Sequence, residues 1–319
     1  MEPIFAGRPS SLEQELVSGS GFEFLNMTSS GFFGKGMRAR LEFGRNAVSG
    51  LAQAFRIVGR RRPAALVAAG GFGSVAPLVA ARLMNRRYFL LEQNRIPGRV
   101  VRYFSPWATE TFLTFELLKP LAAPTLVSGT PLRRKLLAQQ RRDDGRTVLV
   151  LGGSQGARAL NAAAVDLARR LPQFRFIVQT GRRDYAACQQ QAAGLSNLEL
   201  IDFTLSMEEL YARASLAVSR AGGMVINEIL AFELPSILVP FPFATDSHQK
   251  ANAQYVALEG ASIKLDQSRL PELPELVTEL LANPARREEL ATNARRIARR
   301  DAADRIAARI DRLTGADSR

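Results

Sequence analysis

Short apolar runs alternate with longer stretches of helical period along most of the chain. In the first half the runs are PIFAG (3–7), FEFLN (22–26), AALVAA (64–69), RYFLLE (87–92) and TFLTF (111–115). Between them, apolar residues recur every three to four positions over 37–60 and 75–85, the period of an amphipathic helix. The pattern thins near Pro120–Pro131, where Ala122, Ala123, Pro124, Gly129 and Thr130 crowd together. It then restarts with the runs TVLVLG (147–152), RFIVQT (175–180), LELID (198–202), LAVSR (216–220) and SILVPF (236–241). Helical stretches over 157–170, 184–194, 206–214 and 223–232 separate these. Such alternation predicts parallel sheets joined by crossover helices. The predicted fold is α/β, with two doubly wound, Rossmann-like domains and a cleft between them. Residues 1–124 form the first domain and 125–290 the second. Residues 291–319 form a C-terminal helix positioned to return to the first domain. The stretch 285–313 carries charges of both signs and predicts one long, solvated helix with intrahelical ion pairs.

The length of 319 residues suits two domains. With 46% hydrophobic and 23% charged residues the chain reads as globular, against disorder or a coiled coil. No apolar run approaches a membrane span. The start, MEPIFAGRPSSLEQE, lacks the basic-then-apolar profile of a secretory signal. One cysteine, Cys188, and one histidine, His248, exclude an internal disulfide, a cysteine-based metal site and a multi-histidine site. The expectation is a cytosolic chain with no metal and no cofactor. Formal charge is +13, and only five of the 43 cationic side chains are lysines. A chain this basic tends to meet an anion: nucleic acid, a membrane surface or a phosphorylated substrate.

Three segments of the second half carry candidate chemistry. The strand ending at Gly152 runs into Gly153-Ser154-Gln155-Gly156-Ala157-Arg158 and a helix. Glycines let a ligand approach the backbone, and a helix start offers free N–H groups to a phosphate or diphosphate. A plain connecting turn reads equally well, and the spacing is neither that of a P-loop nor that of the dinucleotide fingerprint. The strand LAVSR leads through Ala221-Gly222-Gly223 into a helix bearing Glu228, about one and a half turns in. That carboxylate is either an exposed helix glutamate or an acceptor for vicinal ribose hydroxyls. The strand SILVPF leads into Asp246, His248, Gln249, Lys250 and Asn252, polar chemistry suited to a polyhydroxylated ligand. His248 alone reads as structural or as a ligand contact. In the first half, Gly70-Gly71-Phe72-Gly73-Ser74 and Glu92-Gln93-Asn94 follow strands and face the same cleft. Residues 31–63 interleave Phe32, Phe33, Met37, Leu41, Phe43, Leu51, Phe55, Ile57 and Val58 with Lys35, Arg38, Arg40, Arg45 and Arg60–Arg62. This suits an anionic bilayer, or a core helix with a basic outer face. Nucleic acid is disfavoured, because no stacking platform or binding motif is present.

In combination these segments resemble the bacterial MurG family of N-acetylglucosaminyltransferases. The resemblance rests on GGFGSVAP (70–77), EQNRIPG (92–98), SGTPLR (128–133), VLGGSQGARALN (150–161), QTG (179–181), SRAGGMVINE (219–228) and DSHQKANA (246–253). It implies the two-domain GT-B glycosyltransferase fold and transfer of N-acetylglucosamine from UDP-N-acetylglucosamine, with inversion and without a metal. The implied acceptor is undecaprenyl-diphosphate-N-acetylmuramoyl-pentapeptide, at the cytoplasmic face of the bacterial inner membrane. This reading makes 31–63 a docking surface for anionic lipid.

Carried over motif by motif, the resemblance gives Arg133, Ser154 and the turn of Gly223, Met224, Val225 and Glu228 to the UDP, with Glu228 on the ribose. It sets the uracil beside Phe203, Thr204 and Met207, and Gln249 with His248 on the donor sugar. Asn94 serves both substrates, and Gly70, Gly71, Phe72 and Ser74 line the acceptor side. Phe72, Thr204 and Val225 stand where tyrosine, isoleucine and threonine are usual, and Leu91 where histidine is common. The family's glycine-rich turn with its proposed base histidine has no counterpart here, so the catalytic residue is unassigned. The strand preceding that turn is central in the family's first sheet, so its two neighbours are expected to keep unpaired edges. A non-catalytic UDP-sugar-binding or scaffold relative is the alternative. Another UDP-sugar enzyme, such as an epimerase, is a weaker one.

Overall fold

The computed structural model describes residues 2–9, 12–28, 37–152 and 157–315, and of residues 37–43 the backbone alone. The first half contains β1 (Ile4–Gly7), β2 (Glu23–Asn26), β3 (Leu66–Ala68), β4 (Tyr88–Glu92), β5 (Glu110–Leu113) and β6 (Thr125–Val127). The second contains β7 (Thr147–Leu151), β8 (Arg175–Gln179), β9 (Leu198–Ile201), β10 (Leu216–Ser219), β11 (Ser236–Leu238) and β12 (Ile263–Lys264). All pairings among them are parallel.

The second half builds one six-stranded sheet in the order β12-β11-β10-β7-β8-β9. Its central strands β7 and β10 are buried at every position. Helices cover both faces of a parallel sheet, so these strands read as unbroken apolar runs. One face packs Leu149, Leu151, Ala217 and Leu238 against the helices Met207–Arg213 and Gly223–Ala231. The other packs Val148, Val150, Phe176 and Val218 against Arg158–Arg170 and Leu273–Ala282.

The first half holds two sheets: β1-β2, and β3-β4-β5-β6. Among the described residues β1 pairs only with β2, and β3 only with β4. Ile4, Phe5 and Val67 on these strands are 41%, 41% and 46% exposed, so the faces they point to are incompletely covered. The strand β6 lies just past the boundary expected after residue 124, yet it pairs with β5 in the first sheet. Its three residues sit in the proline- and glycine-rich stretch that reads as a domain boundary.

One expectation needs correction. The stretch 285–313 is not one helix. It forms Pro284–Ile297 and Ala302–Gly315, broken at Ala298, whose ψ is 140°. The break is tertiary in origin. Arg300 donates from Nη1 to the carbonyl of Ala231 (2.7 Å) and from Nη2 to that of Leu137 (2.6 Å). Arg299 lies against Gly129, whose φ is +86° and where an added Cβ would stand 2.4 Å from Arg299 Cβ. Past the break the chain returns to the first half, where Ile306, Ile310 and Leu313 pack on Phe89 and Phe112. Arg309 grips the buried Glu110 through both carboxylate oxygens at 2.8 and 3.0 Å.

Within 31–63 the described part follows the alternative of a core helix with a basic outer face. In the helix Met37–Arg61, Phe55, Ile57 and Val58 turn inward to Met27, Ala80 and Met84, while Arg45, Arg56, Arg60 and Arg61 stay outside. The amphipathic period here serves a core contact with the helix Val75–Leu83. Residues 31–36 and the side chains of 37–43, including Phe32, Phe33, Lys35 and Arg38, lie outside the described residues.

Candidate functional site

Parallel strands release their loops at one sheet edge, and ligands usually bind there. From β10 the chain passes through Arg220, Ala221 and Gly222 into the helix Gly223–Ala231. Asn227 Nδ2 donates to the carbonyl of Gly223 (2.7 Å) and fixes the first turn. Met224 is partly exposed and Val225 packs on the core. Glu228 is partly buried on this helix, and the Tyr211 hydroxyl donates to its Oε2 (2.8 Å). Burial pushes the Glu228 carboxyl above the usual range. The Tyr211 hydroxyl and the Arg133 charge pull it back, and Glu208 adds to the rise. Burial likewise drives the Tyr211 phenol well up, with the Glu228 charge reinforcing it.

Arg133 reaches the same corner from the segment after β6. Its guanidinium donates to the carbonyl of Leu205, and its Nη2 lies 3.6 Å from Glu208 Oε2. The loop before Met207 is held locally: Asp202 Oδ1 accepts from Phe203 N (2.7 Å) and Thr204 Oγ1 from Ser206 N (3.0 Å). Arg182 covers the Phe203 ring at 4.8 Å, and Met207 packs against the core. Arg133, Glu228 and the 203–207 loop thus share one rim of the second sheet.

From β11 the chain enters a tight turn in which Asp246 and Ser247 have φ of 52° and 56°. The helix His248–Leu258 follows. His248 Nδ1 donates to the carbonyl of Thr245 (2.7 Å), which leaves Nε2 for another partner. Gln249 Oε1 accepts from Phe241 N (2.9 Å).

The first half closes on this rim. Asn252, fully buried, donates from Nδ2 to Asn94 Oδ1 (2.9 Å) and to the carbonyl of Ala221 (3.1 Å). Its Oδ1 accepts from Arg95 N (3.0 Å). Glu92, buried at the end of β4, accepts from Asn94 N (2.9 Å), Asn94 Nδ2 (3.1 Å) and Gly98 N (2.7 Å). Gly223 sits so close to the first half that a Cβ there would stand 2.3 Å from the Gln93 carbonyl oxygen. Arg102 pairs with Asp246 across the same gap, and Arg95 lies 4.7 Å over the Tyr255 ring. Gly70 and Gly71 follow β3, with Ser74 Oγ bonded to the Gly70 carbonyl (2.7 Å) and Phe72 60% exposed.

Ser154 and its neighbours 153–156 lie outside the described residues. The frame around that turn is described. Asn161 Nδ2 donates to the Thr180 carbonyl (3.0 Å) and to Asp184 Oδ2 (3.1 Å), and Arg158 approaches Asp184 at 3.3 Å.

The sequence reading did not single out Tyr211 or Glu208 as site residues, and it named Glu92 and Asn252 only among neighbouring polar side chains. A tyrosine and glutamate three apart on a helix that starts beside the 203–204 loop was the available signal for the first two.

Residues 147–306 match the glycosyltransferase family 28 C-terminal domain and residues 4–113 the family 28 N-terminal domain. The chain is 37% identical over 318 residues to the UDP-N-acetylglucosamine–N-acetylmuramyl-(pentapeptide) pyrophosphoryl-undecaprenol N-acetylglucosamine transferase of Methylococcus capsulatus, covering 96% of this chain and 89% of the relative. It is 32% identical over 330 residues to the like-named protein of Desulfotalea psychrophila, covering 99% and 89%. Its fold is similar to the crystal structure of Acinetobacter baumannii MurG, with a TM-score of 0.73 and 24% identity over 98% of this chain and 91% of that one. A UDP-GlcNAc 2-epimerase from Neisseria meningitidis shares the fold at a TM-score of 0.66 and 14% identity, over 94% and 88%.

Proposed function

We infer the working of this site from one premise: the chain belongs to the UDP-N-acetylglucosamine–N-acetylmuramyl-(pentapeptide) pyrophosphoryl-undecaprenol N-acetylglucosamine transferases, the MurG enzymes of glycosyltransferase family 28. Its two-domain architecture is the GT-B fold. It is a hexosyltransferase of peptidoglycan synthesis that moves N-acetylglucosamine from UDP-N-acetylglucosamine to the undecaprenyl-diphosphate-linked N-acetylmuramoyl-pentapeptide, turning lipid I into lipid II.

The observation that carries the donor assignment is the convergence of Glu228 and Arg133 at the edge where β7, β10 and β11 release their loops. Glu228 accepts hydrogen bonds from the ribose hydroxyls. Arg133, the N–H groups opening the helix Gly223–Ala231, and the Ser154 turn take the diphosphate charge. The uracil lies beside the Phe203–Thr204 backbone near Met207. Gln249 donates to the donor sugar, with His248 Nε2 beside it. Asn94 and the Gly70–Ser74 loop border the acceptor. The muramoyl 4-hydroxyl oxygen bonds to the anomeric carbon in line as the bond from that carbon to the UDP oxygen breaks, the hydroxyl proton passes to a general base, UDP departs from the opposite face, and the configuration inverts. Charge grows on the leaving UDP, so donors already aimed at it lower the barrier. Transfer of labelled N-acetylglucosamine to the lipid acceptor by the full chain is the test. Folded protein that binds UDP-N-acetylglucosamine and transfers nothing would overturn the catalytic reading.

The Glu228 environment sets a pH dependence. Its carboxyl is raised, so the fold favours the neutral form. The stability this contributes is complete below the unfolded pKa and is lost as pH rises through the folded one. Ligand binding runs the other way, since only the carboxylate accepts both hydroxyl hydrogens. UDP affinity of the wild type over Glu228→Gln is therefore expected to shrink on acidification, beginning above the ordinary glutamate range. Calorimetric titrations of both proteins across pH check this, and the Gln variant removes the titration of the nucleotide's own phosphate from the comparison.

The acceptor's lipid calls for a membrane-facing surface. No described helix is long and apolar enough to cross a membrane. The surface we assign to an anionic bilayer, at the cytoplasmic face of the inner membrane, lies on the first half. There Leu83, Tyr103 and Trp107 are 70%, 66% and 48% exposed around a shallow cavity of about 300 Å³. Arg82 stacks 5.7 Å over Trp107. Aromatic rings beside guanidinium groups suit the headgroup boundary. Trp107→Glu is expected to weaken binding to anionic lipid vesicles by about tenfold, measured by flotation. Unchanged flotation would remove this surface from the account.

A further inference from the structure

We propose that Tyr211 is a positioning residue for the donor's ribose, holding Glu228 through its hydroxyl in the one orientation that receives the vicinal diol. The proposal rests on the reading of Glu228 given above.

Tyr211 lies on the helix Met207–Arg213, beneath the sheet edge, and is fully buried. Its ring packs 5.2 Å from Phe232 in the main core of the second half, among Leu151, Ala217 and Ile226. Those neighbours need only an aromatic ring. The hydroxyl is a polar group inside an apolar cluster, and a buried hydroxyl without a partner is costly. Its partner is Glu228 Oε2 at 2.8 Å, 17 positions further along the chain and on a different helix. The donor is held by its packing, so Oε2 of the carboxylate is held with it. Oε1 and the second lone pair of Oε2 remain for the ribose hydroxyls.

The same helix face steadies the other donor contact. Glu208, one turn before Tyr211 and 9% exposed, stands 3.6 Å from Arg133 Nη2, and its Oε2 has no hydrogen-bond partner among the described residues. A single helical turn thus presents one anchor to the carboxylate and one to the guanidinium. Without the tyrosine hydroxyl, Glu228 can still ionise and still reach the cleft. It would then sample several rotamers, and each donor molecule would bear the cost of selecting one. The loss falls on binding of ribose hydroxyls and on nothing else in the nucleotide.

This separates a positioning role from plain core filling. The test compares wild type, Tyr211→Phe and Glu228→Ala on two donors, UDP-N-acetylglucosamine and its 2′,3′-dideoxyuridine analogue. Freeing the Glu228 side chain makes each donor molecule immobilise it again, which should raise the Tyr211→Phe KM for the natural donor about two- to tenfold, with a smaller change in kcat. On the dideoxy donor Tyr211→Phe and wild type should have equal KM. A Tyr211→Phe enzyme that matches wild type on the natural donor, or is handicapped equally on both donors, overturns the proposal. Glu228→Ala reports on the underlying reading separately. If it too is handicapped equally on both donors, Glu228 does not hold the ribose and Tyr211 has nothing to position. Tyr211→Phe keeps the ring and its packing, and a thermal melt matching wild type confirms that only the hydroxyl has been removed.

Discussion

Glu228→Gln is expected to raise the KM for UDP-N-acetylglucosamine by about a hundredfold or more while leaving the protein at least as stable as the wild type. The two halves of this result have one cause. A carboxylate accepting two ribose hydroxyls makes two charge-assisted bonds, each worth about 1.5–3 kcal/mol. Gln offers one neutral acceptor and an N–H₂ group that faces a hydroxyl hydrogen poorly. Loss of about 3 kcal/mol corresponds to about two orders of magnitude in affinity. In the free protein the same carboxylate is held in a desolvating site that raises its pKa, so ionising it costs the fold stability. Gln carries no charge and can still accept from Tyr211. A higher or equal melting temperature with lost donor affinity marks a group kept for binding. Lower stability together with lost affinity would mean that Glu228 is chiefly structural. Steady-state kinetics and a thermal melt on one preparation decide between them.

Arg133→Ala is expected to lower kcat/KM by about two to three orders of magnitude, with a substantial part of the loss in kcat. On the proposed reading Arg133 faces a diphosphate whose charge increases as the bond to the anomeric carbon breaks, so its contribution grows toward the transition state. Its side chain is 49% exposed in the free protein, yet it is not loose: the Leu205 carbonyl and Glu208 hold it from one side. Arg133→Lys should recover only a small fraction of the loss, because an ammonium cannot span two phosphoryl oxygens as a guanidinium does. A variant that raises KM alone would place Arg133 in ground-state binding rather than in leaving-group stabilisation.

The strands that position this chemistry were legible because both faces of their sheet are covered. Val148–Leu151 and Leu216–Val218 are apolar without interruption, and the glycines that follow them mark the edge where loops gather. The strands β6 and β12 were not: Thr125–Val127 sits in the proline- and glycine-rich stretch that reads as a domain boundary, and Ile263–Lys264 is only two residues long. The break between the last two helices was equally hidden. Ala298-Arg299-Arg300-Asp301 contains neither glycine nor proline, and the chain bends there because Arg300 bonds to carbonyls of two other segments. For Phe55, Ile57 and Val58 the period was read correctly, but a period cannot say whether the partner is lipid or another helix.

At the site, the cleft-facing side chains were visible through their motifs and their supports were not. Asn252 looked like one polar residue among several in a helix. Its three hydrogen bonds join Asn94 and Arg95 of one half to Ala221 of the other, more than 150 positions away for the first two. Tyr211 looked like an ordinary core aromatic. Only the tertiary fold brings its hydroxyl to Glu228.

A crystal structure of the full chain bound to UDP-N-acetylglucosamine is the most direct trial of the donor site. The ribose hydroxyl oxygens should lie within about 3 Å of the Glu228 carboxylate, with the diphosphate against Arg133 and the helix opening at Gly223. A nucleotide seated anywhere else, or one whose ribose points away from Glu228, would contradict the account.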